Sequence, residues 1–335
     1  MKKIGVLFGV ENSFPSALVE RINMLSAEKA RNADGIRAEF VLTGAVSLNR
    51  APDYAVIIDR ISHDVPFYRA WLKHAAMAGT AVINNPFRAS ADDKFLNYEV
   101  ARRLGVAVPA TVLLPHKNLP NDTSSRSMRN LEYPLDWESV FAAAGEHGYL
   151  KPINGGGWRD VYEVRGREEF FRAYDGSRDL CMVYQKAVEY TDYFRCFVAG
   201  QKTVRVMGYD PRRPHAERYA PAPVRATTFE ARKLFKRMQD DALKLCTALG
   251  YDLNSVEFAV EKGIPYAIDF LNPVPDADVN SVGEANFEWI VEHVAELAIS
   301  KAKARPGDLQ WPTLPAKVPA LGGERKRGRK RVPEN

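Results

Sequence analysis

The 335-residue chain holds only three cysteines, Cys181, Cys196 and Cys246, and no Cys-x-x-Cys pair. An odd, scattered set argues against a disulfide framework. Its six histidines, at 63, 74, 116, 147, 215 and 293, show no metal-ligand spacing and read as surface or packing residues. No apolar run approaches the ~20 residues needed to cross a bilayer. The opening Met1–Gly9 stretch has a basic start but too short an apolar run for a signal peptide. A soluble, cytoplasmic protein with no membrane partner is the simplest expectation. No Gly-x-Gly-x-x-Gly follows the first apolar run, which argues against a dinucleotide site. No convincing Ser-His-Asp or Cys-His arrangement is present. Net charge is scarce too, because residues 306–335 carry +4 of the formal +5. That basic tail, centred on Glu324–Arg331, reads as a disordered extension with weak nucleic-acid affinity at most.

What is present is ordinary globular material, 46% hydrophobic and 27% charged, and enough of it for two or three domains. Apolar runs at 3–10, 38–43, 54–59 and 81–83 alternate with helical patterns that begin at Ser13-Phe14-Pro15 and at Phe67. This predicts an α/β unit with a parallel sheet over 1–85, ended by Asn84-Asn85-Pro86. Ser90–Asp93 is a capping signal for a helix to Leu104, followed by a strand over 105–111. Residues 116–136 read as a surface loop, and Trp137–Ala144 as a helix. Strands over 148–152 and 161–164 flank Gly155-Gly156-Gly157, a loop able to wrap an anion through its amides. A plain hairpin turn uses glycine as well; the Walker mechanism is excluded because no Gly-Lys-Ser/Thr follows. Further strands are expected over 181–186, 193–200 and 202–207, and helices over 227–249 and 286–303.

The chemistry concentrates in Ser255–Pro273, two apolar strands folded back on Lys262-Gly263. A three-residue turn around Gly263 sets Glu257 opposite Asp269 on one face. Two carboxylates so placed, with Asn272 beyond, suit Mg²⁺; they equally suit the wet face of an amphipathic hairpin. Lys94 opens a helix, where its charge opposes the dipole, so it is either solvated or has a compensating role. Arg195 projects into a cleft or faces water, and Arg205 lies across its hairpin. Arg212, Arg213, Arg218 and Arg225 either grip an acidic substrate or belong to a solvated loop.

Five loose motifs fall in one order: Asn85-Pro86 with Asp93-Lys94 and Gly105–Thr111; Leu150-Lys151-Pro152 with the triglycine; Gln185-Lys186; Arg195-x-Phe-Val-x-Gly200; and Glu257 with Asp269-x-x-Asn272-Pro273. Together they resemble the ATP-grasp superfamily, in its RimK-like and glutathione-synthetase-like branch, over roughly residues 1–305. The resemblance implies a mixed α/β and α+β fold: an N-terminal parallel-sheet domain (1–85), a central subdomain with the glycine flap (86–180) and a C-terminal subdomain with the metal hairpin (181–305), the last two clasping ATP. It implies that Lys94 and Lys151 reach the phosphates, that Gly155, Gly156 and Gly157 cover them, and that the backbone of Gln185 and Lys186 reads adenine. Glu189 takes a ribose hydroxyl, with Asp192 as the alternative acid. Arg195 and Arg205 are the catalytic cations. Glu257, Asp269 and Asn272 hold one or two Mg²⁺, or Mn²⁺ in its place. The family ends this strand acid-x-Asn; the extra residue here means that a β-bulge restores the alternation or that Asn272 is not a ligand.

The implied activity is an ATP-dependent carboxylate–amine ligase working through an acyl phosphate on small-molecule or peptide substrates, as a homodimer or homotetramer. A kinase on the same scaffold and a non-catalytic nucleotide-binding protein are the alternatives.

Overall fold

The computed structural model describes residues 1–29, 35–87, 93–214, 217–219, 227–270 and 272–304. The basic tail, Arg225 and the Ser90–Asp92 part of the capping signal lie outside the described residues.

Three four-stranded sheets make the architecture. The first is parallel, in the order β2 (Ile36–Phe40), β1 (Lys2–Leu7), β3 (Val56–Asp59), β4 (Ala81–Ile83). Its inner strands are buried on both faces, as their unbroken Val/Ile content requires: Ile4, Val6, Val56, Ile57 and Ile58 are inaccessible. Helix α1 (Phe14–Lys29) starts with Pro15 in its first turn, where a missing N–H costs nothing, and α2 (Pro66–Met77) does the same with Pro66.

Helix α3 (Lys94–Arg103) follows, capped by the Asp93 side chain, which accepts from Leu96 N. The strand expected over 105–111 begins only at Thr111. The reason is local: Ala107 O accepts from Ala267 N, so this run is drawn along the 253–269 hairpin instead of into its own sheet. The second sheet is antiparallel, in the order β5 (Thr111–Leu114), β8 (Met182–Lys186), β6 (His147–Pro152), β7 (Tyr162–Arg165). Helices α4 (Trp137–Ala144) and α5 (Arg167–Gly176) cover it through Phe141, Phe170 and Tyr174. β8 is an inner strand of this sheet, between β5 and β6.

The third sheet, also antiparallel, runs β10 (Thr203–Gly208), β9 (Asp192–Ala199), β11 (Leu253–Glu261), β12 (Ile264–Asp269). Its far face packs on α6 (Phe229–Leu249), capped by Thr228 and stopped by Gly250 in the left-handed region. Tyr98 and Ala101 of α3 share that core with Cys196, Met238, Leu245 and Phe258. After the short α7 (Val279–Val282), helix α8 (Glu284–Lys303) returns to the N-terminal sheet. Ile290, Val294 and Ala298 pack with Ile4, Phe14 and Leu18, and also with Phe197 and Leu253. One core therefore ties the first sheet to the third. Among the described residues no helix is long and apolar enough to cross a membrane.

Candidate active site

The hairpin of β11 and β12 reaches the expected pairing by an unexpected route. Glu261 pairs with Ile264 across a two-residue turn, Lys262 and Gly263 at φ 52° and 75°, where a three-residue turn was expected. Both positions are left-handed, the I′ turn that matches strand twist. Continued regularly, this register would place Ile268 opposite Glu257 and turn Asp269 to the other face. The register shifts between Glu257 and Phe258, Ile268 becomes the extra residue of a β-bulge, and Glu257 pairs with Asp269. The same rung continues through Arg195 on β9 to Met207 on β10.

Charge along that rung is unevenly satisfied. Glu257 is 8% exposed; its Oε1 accepts from Arg195, and its Oε2 from Tyr193 Oη at 2.7 Å. Arg195 also donates to Tyr219 Oη and, at 3.2 Å, to Tyr209 Oη, with the Tyr209 ring 4.1 Å from its guanidinium. Burial works against the Arg195 charge, but Glu257 and the two tyrosines outweigh it and raise its pKa well above the ordinary value. Arg195 is thus committed to Glu257 instead of facing open space. The Asp269 carboxylate is exposed and has no hydrogen-bond or ion-pair partner among the described residues. Although its edge is exposed, the protein packed around it desolvates the carboxylate, and that, then Glu257, raises its pKa, while Lys94, Lys151 and Arg195 pull it back.

The two lysines act on that same carboxylate. Lys151, on β6, is 7% exposed and donates to Tyr98 Oη at 2.7 Å and Gln185 Oε1 at 2.8 Å. Burial lowers its pKa to about 8, against the support of Asp269 and Glu257. Lys94 opens α3 and reaches Gly155 O, while its own N–H donates to Ile153 O, so the glycine loop and the helix start are stitched together. Gly155 and Gly157 hold φ of 92° and 70°, and a Cβ at any of the three glycines meets nothing within 4 Å. The loop is open to a ligand, and its conformation needs glycine.

The remaining candidates are placed as follows. The Gln185 side chain bridges Lys151 and Thr111, donating to Thr111 Oγ1 at 2.9 Å, and the Lys186 amide donates to Ala110 O, so that amide is already used in the sheet. Glu189 is exposed beside His147 Nδ1 at 2.9 Å. Asp192 starts β9, where its carboxylate accepts from Thr191 Oγ1. Asn272 turns inward to its own chain: its Oδ1 accepts from Val274 N at 3.2 Å and its N–H donates to Asn254 Oδ1 at 2.8 Å. The bulge thus precedes Asp269 and leaves the 269–272 spacing unaltered. Arg205 lies on the Arg195 face two residues along the ladder, with its Nε on Asn286 Oδ1 at 3.0 Å, away from the acids. Arg212 and Arg213 share Asp210. Arg218 stands 6.0 Å from the Trp158 ring of the glycine loop.

Sequence reasoning missed Tyr98, Tyr193, Tyr209 and Tyr219, which hold the charged residues in place. Alternation offered one signal, since Tyr193 precedes Arg195 by two on one face. It also missed Asn84. That buried amide accepts from Asp252 and Leu253 N–H and donates to Leu253 and Pro273 O, joining the end of β4 to both arms of the hairpin.

The donor set fits Mg²⁺. Two hard carboxylates face each other, one of them unpartnered and pushed toward its protonated form, a repulsion that a divalent cation relieves. No group of three or more His, Cys, Asp or Glu converges among the described residues. Mg²⁺ requires none, because it takes one or two carboxylates and completes its shell with phosphate and water oxygens.

No protein-family model and no curated protein matches the chain by sequence. Solved structures do. D-alanine–D-alanine ligase from Bacillus anthracis, complexed with ATP, superposes with a TM-score of 0.59 at 14% identity, covering 90% of this chain and 97% of that one. A RimK-domain ATP-grasp protein from Sphaerobacter thermophilus gives 0.59 at 16%, covering 88% and 98%. The ATP-grasp ligase PsnB, complexed with a minimal precursor, Mg and ADP, gives 0.55 at 14%, covering 90% and 98%. These likenesses cover about nine-tenths of the chain, and its fold is the ATP-grasp, RimK-like fold.

Proposed function

We propose that the chain is a Mg²⁺- and ATP-dependent carboxylate–amine ligase. The observation that carries the reading is the unpartnered Asp269 carboxylate opposite Glu257, under the influence of Lys94 and Lys151 and beside an open glycine loop. Such a crevice is short of a cation on one wall and rich in cations on the other. A polyphosphate with its metal supplies both.

Lys94 and Lys151 would neutralise phosphate oxygens as point charges, and the amides of Gly155–Gly157 would close over them and exclude water. Glu257 and Asp269 would hold Mg²⁺, which when bound shields the phosphates against an incoming carboxylate. Arg195 and Tyr193 hold Glu257 in register, leaving the second lone pair on each oxygen for the metal. The substrate carboxylate would take the γ-phosphoryl group, and an amine would displace phosphate to form the amide. No protein nucleophile is needed; the work is positioning and charge neutralisation.

The experiment is ADP release from Mg²⁺·ATP with amino-acid and peptide pairs, with the amide product identified by mass. Release that requires both a carboxylate and an amine supports ligation. A stable phosphorylated product formed without an amine identifies a kinase, and tight ATP binding that no pair ever stimulates refutes the reading.

A further inference from the structure

The β-bulge that brings Asp269 opposite Glu257 leaves Ile268 outside the ladder. Its carbonyl is not left bare: Tyr98 Oη donates to Ile268 O at 2.7 Å. The same hydroxyl accepts from Lys151 Nζ at 2.7 Å. Tyr98 is 5% exposed, and its ring meets Phe270 edge-on at 5.5 Å, so both neighbours of Asp269 are held by one side chain. Behind it the chain of contacts runs from Lys151 to Gln185 and on to Thr111 in the second sheet. Tyr98 lies one turn after Lys94 on α3, so a single short helix carries both the group that touches the glycine loop and the group that touches the bulge.

We infer that Tyr98 is a positioning residue: its hydroxyl pins the bulge that aligns the metal carboxylates and at the same time orients the Lys151 ammonium, so that one O–H sets both halves of the crevice. The inference rests on the proposed roles of Glu257, Asp269 and Lys151. A phenylalanine would fill the same core space beside Phe270 and Ala101 equally well, so packing alone does not call for the hydroxyl. Without the O–H, Ile268 O is left unsatisfied and a regular register becomes an alternative, one that turns Asp269 to the far face.

The test is Tyr98→Phe in the full chain, with Ala101→Gly as a control that weakens α3 without touching the hydroxyl. ADP affinity is measured first in EDTA and then across a Mg²⁺ titration, and amide hydrogen exchange is followed over 264–270 without nucleotide. For Tyr98→Phe we expect metal-free ADP affinity to fall about threefold or more, as the Lys151 ammonium loses one of its two partners. Half-saturating Mg²⁺ should rise about 10-fold or more, the usual consequence of losing an outer-shell partner. Exchange over 264–270 should be faster, whereas Ala101→Gly lowers the melting temperature and leaves the Mg²⁺ increment intact. An unchanged increment and unchanged exchange in Tyr98→Phe, or an equal loss in both variants, overturns the proposal. If the parent itself shows no Mg²⁺-dependent ADP binding, the proposed function fails, and exchange over 264–270 then decides the role of Tyr98 at the bulge.

Discussion

Replacing Asp269 with asparagine keeps the shape of the side chain and removes one of two facing charges. In the ligand-free chain this should stabilise. Directly opposed residues on an antiparallel ladder stand ~5 Å apart, and at an effective dielectric near 20 two unit charges there repel by about 3 kcal/mol. Asp269 is open to solvent and partly balanced by Lys94, Lys151 and Arg195, so a net gain of about 1 kcal/mol remains. In a chain of this size that is a rise of about 1–3 °C in melting temperature. The pH dependence has a fixed sign. The folded chain holds the Asp269 proton more tightly than the unfolded chain, so stability falls as pH rises through the window above the ordinary value of 3.8. Asp269→Asn removes that fall. Mg²⁺-dependent nucleotide binding and turnover should disappear in the same variant. Scanning calorimetry at pH 4 to 7, followed by calorimetric titration with ADP and Mg²⁺, reads both effects. A variant several degrees less stable that still binds Mg²⁺·ADP would rule out both the charge repulsion and the metal role of Asp269.

Other perturbations have equally definite outcomes. Lys151 is depressed to about 8, so ADP affinity should decline above pH 8 as the ammonium is lost; Lys151→Met should bind weakly at every pH and show no such decline. The parent should gain stability between pH 8 and 10.5, where the cost of burying that charge disappears in the folded state first. Arg195→Met leaves Glu257 buried with its charge uncompensated and should cost about 3–5 kcal/mol; adding Glu257→Gln should recover part of it, a coupling that calorimetry measures directly. Gly157→Val forces a β-branched residue to a φ of 70° in an exposed loop. It should raise the KM for ATP while leaving the melting temperature nearly unchanged, as steady-state kinetics and a thermal melt will show.

The sequence made the scaffold legible wherever one local rule decided an element. Unbroken Val/Ile runs marked the buried parallel strands, and the Ser90–Asp93 capping signal marked the start of α3 through chemistry that depends only on neighbours in the chain. The Glu257–Asp269 pair was legible in its result but not in its construction. A two-residue turn with a bulge gives the same opposition as a three-residue turn without one, and the bulge depends on Tyr98, about 170 residues away. The same non-locality hid Arg195's commitment to Glu257 and Tyr219, the Gln185 bridge to Lys151, and the docking of 105–108 against β12. Helix α5 escaped because its interior is polar apart from Phe170, Phe171 and Tyr174, so its stability comes from the sheet it covers. The return of α8 to the first sheet was likewise invisible, since an amphipathic stripe does not name its partner.

In the proposed function, the acids at 257 and 269 and the lysines at 94 and 151 serve one metal–nucleotide crevice. A crystal structure of the full chain with Mg²⁺ and a non-hydrolysable ATP analogue tests it most directly. Electron density is expected for a cation within about 2.1 Å of an oxygen of Asp269 and of Glu257, with the terminal phosphates against Lys94 and Lys151. Nucleotide bound elsewhere, or a metal that ignores both carboxylates, would contradict it.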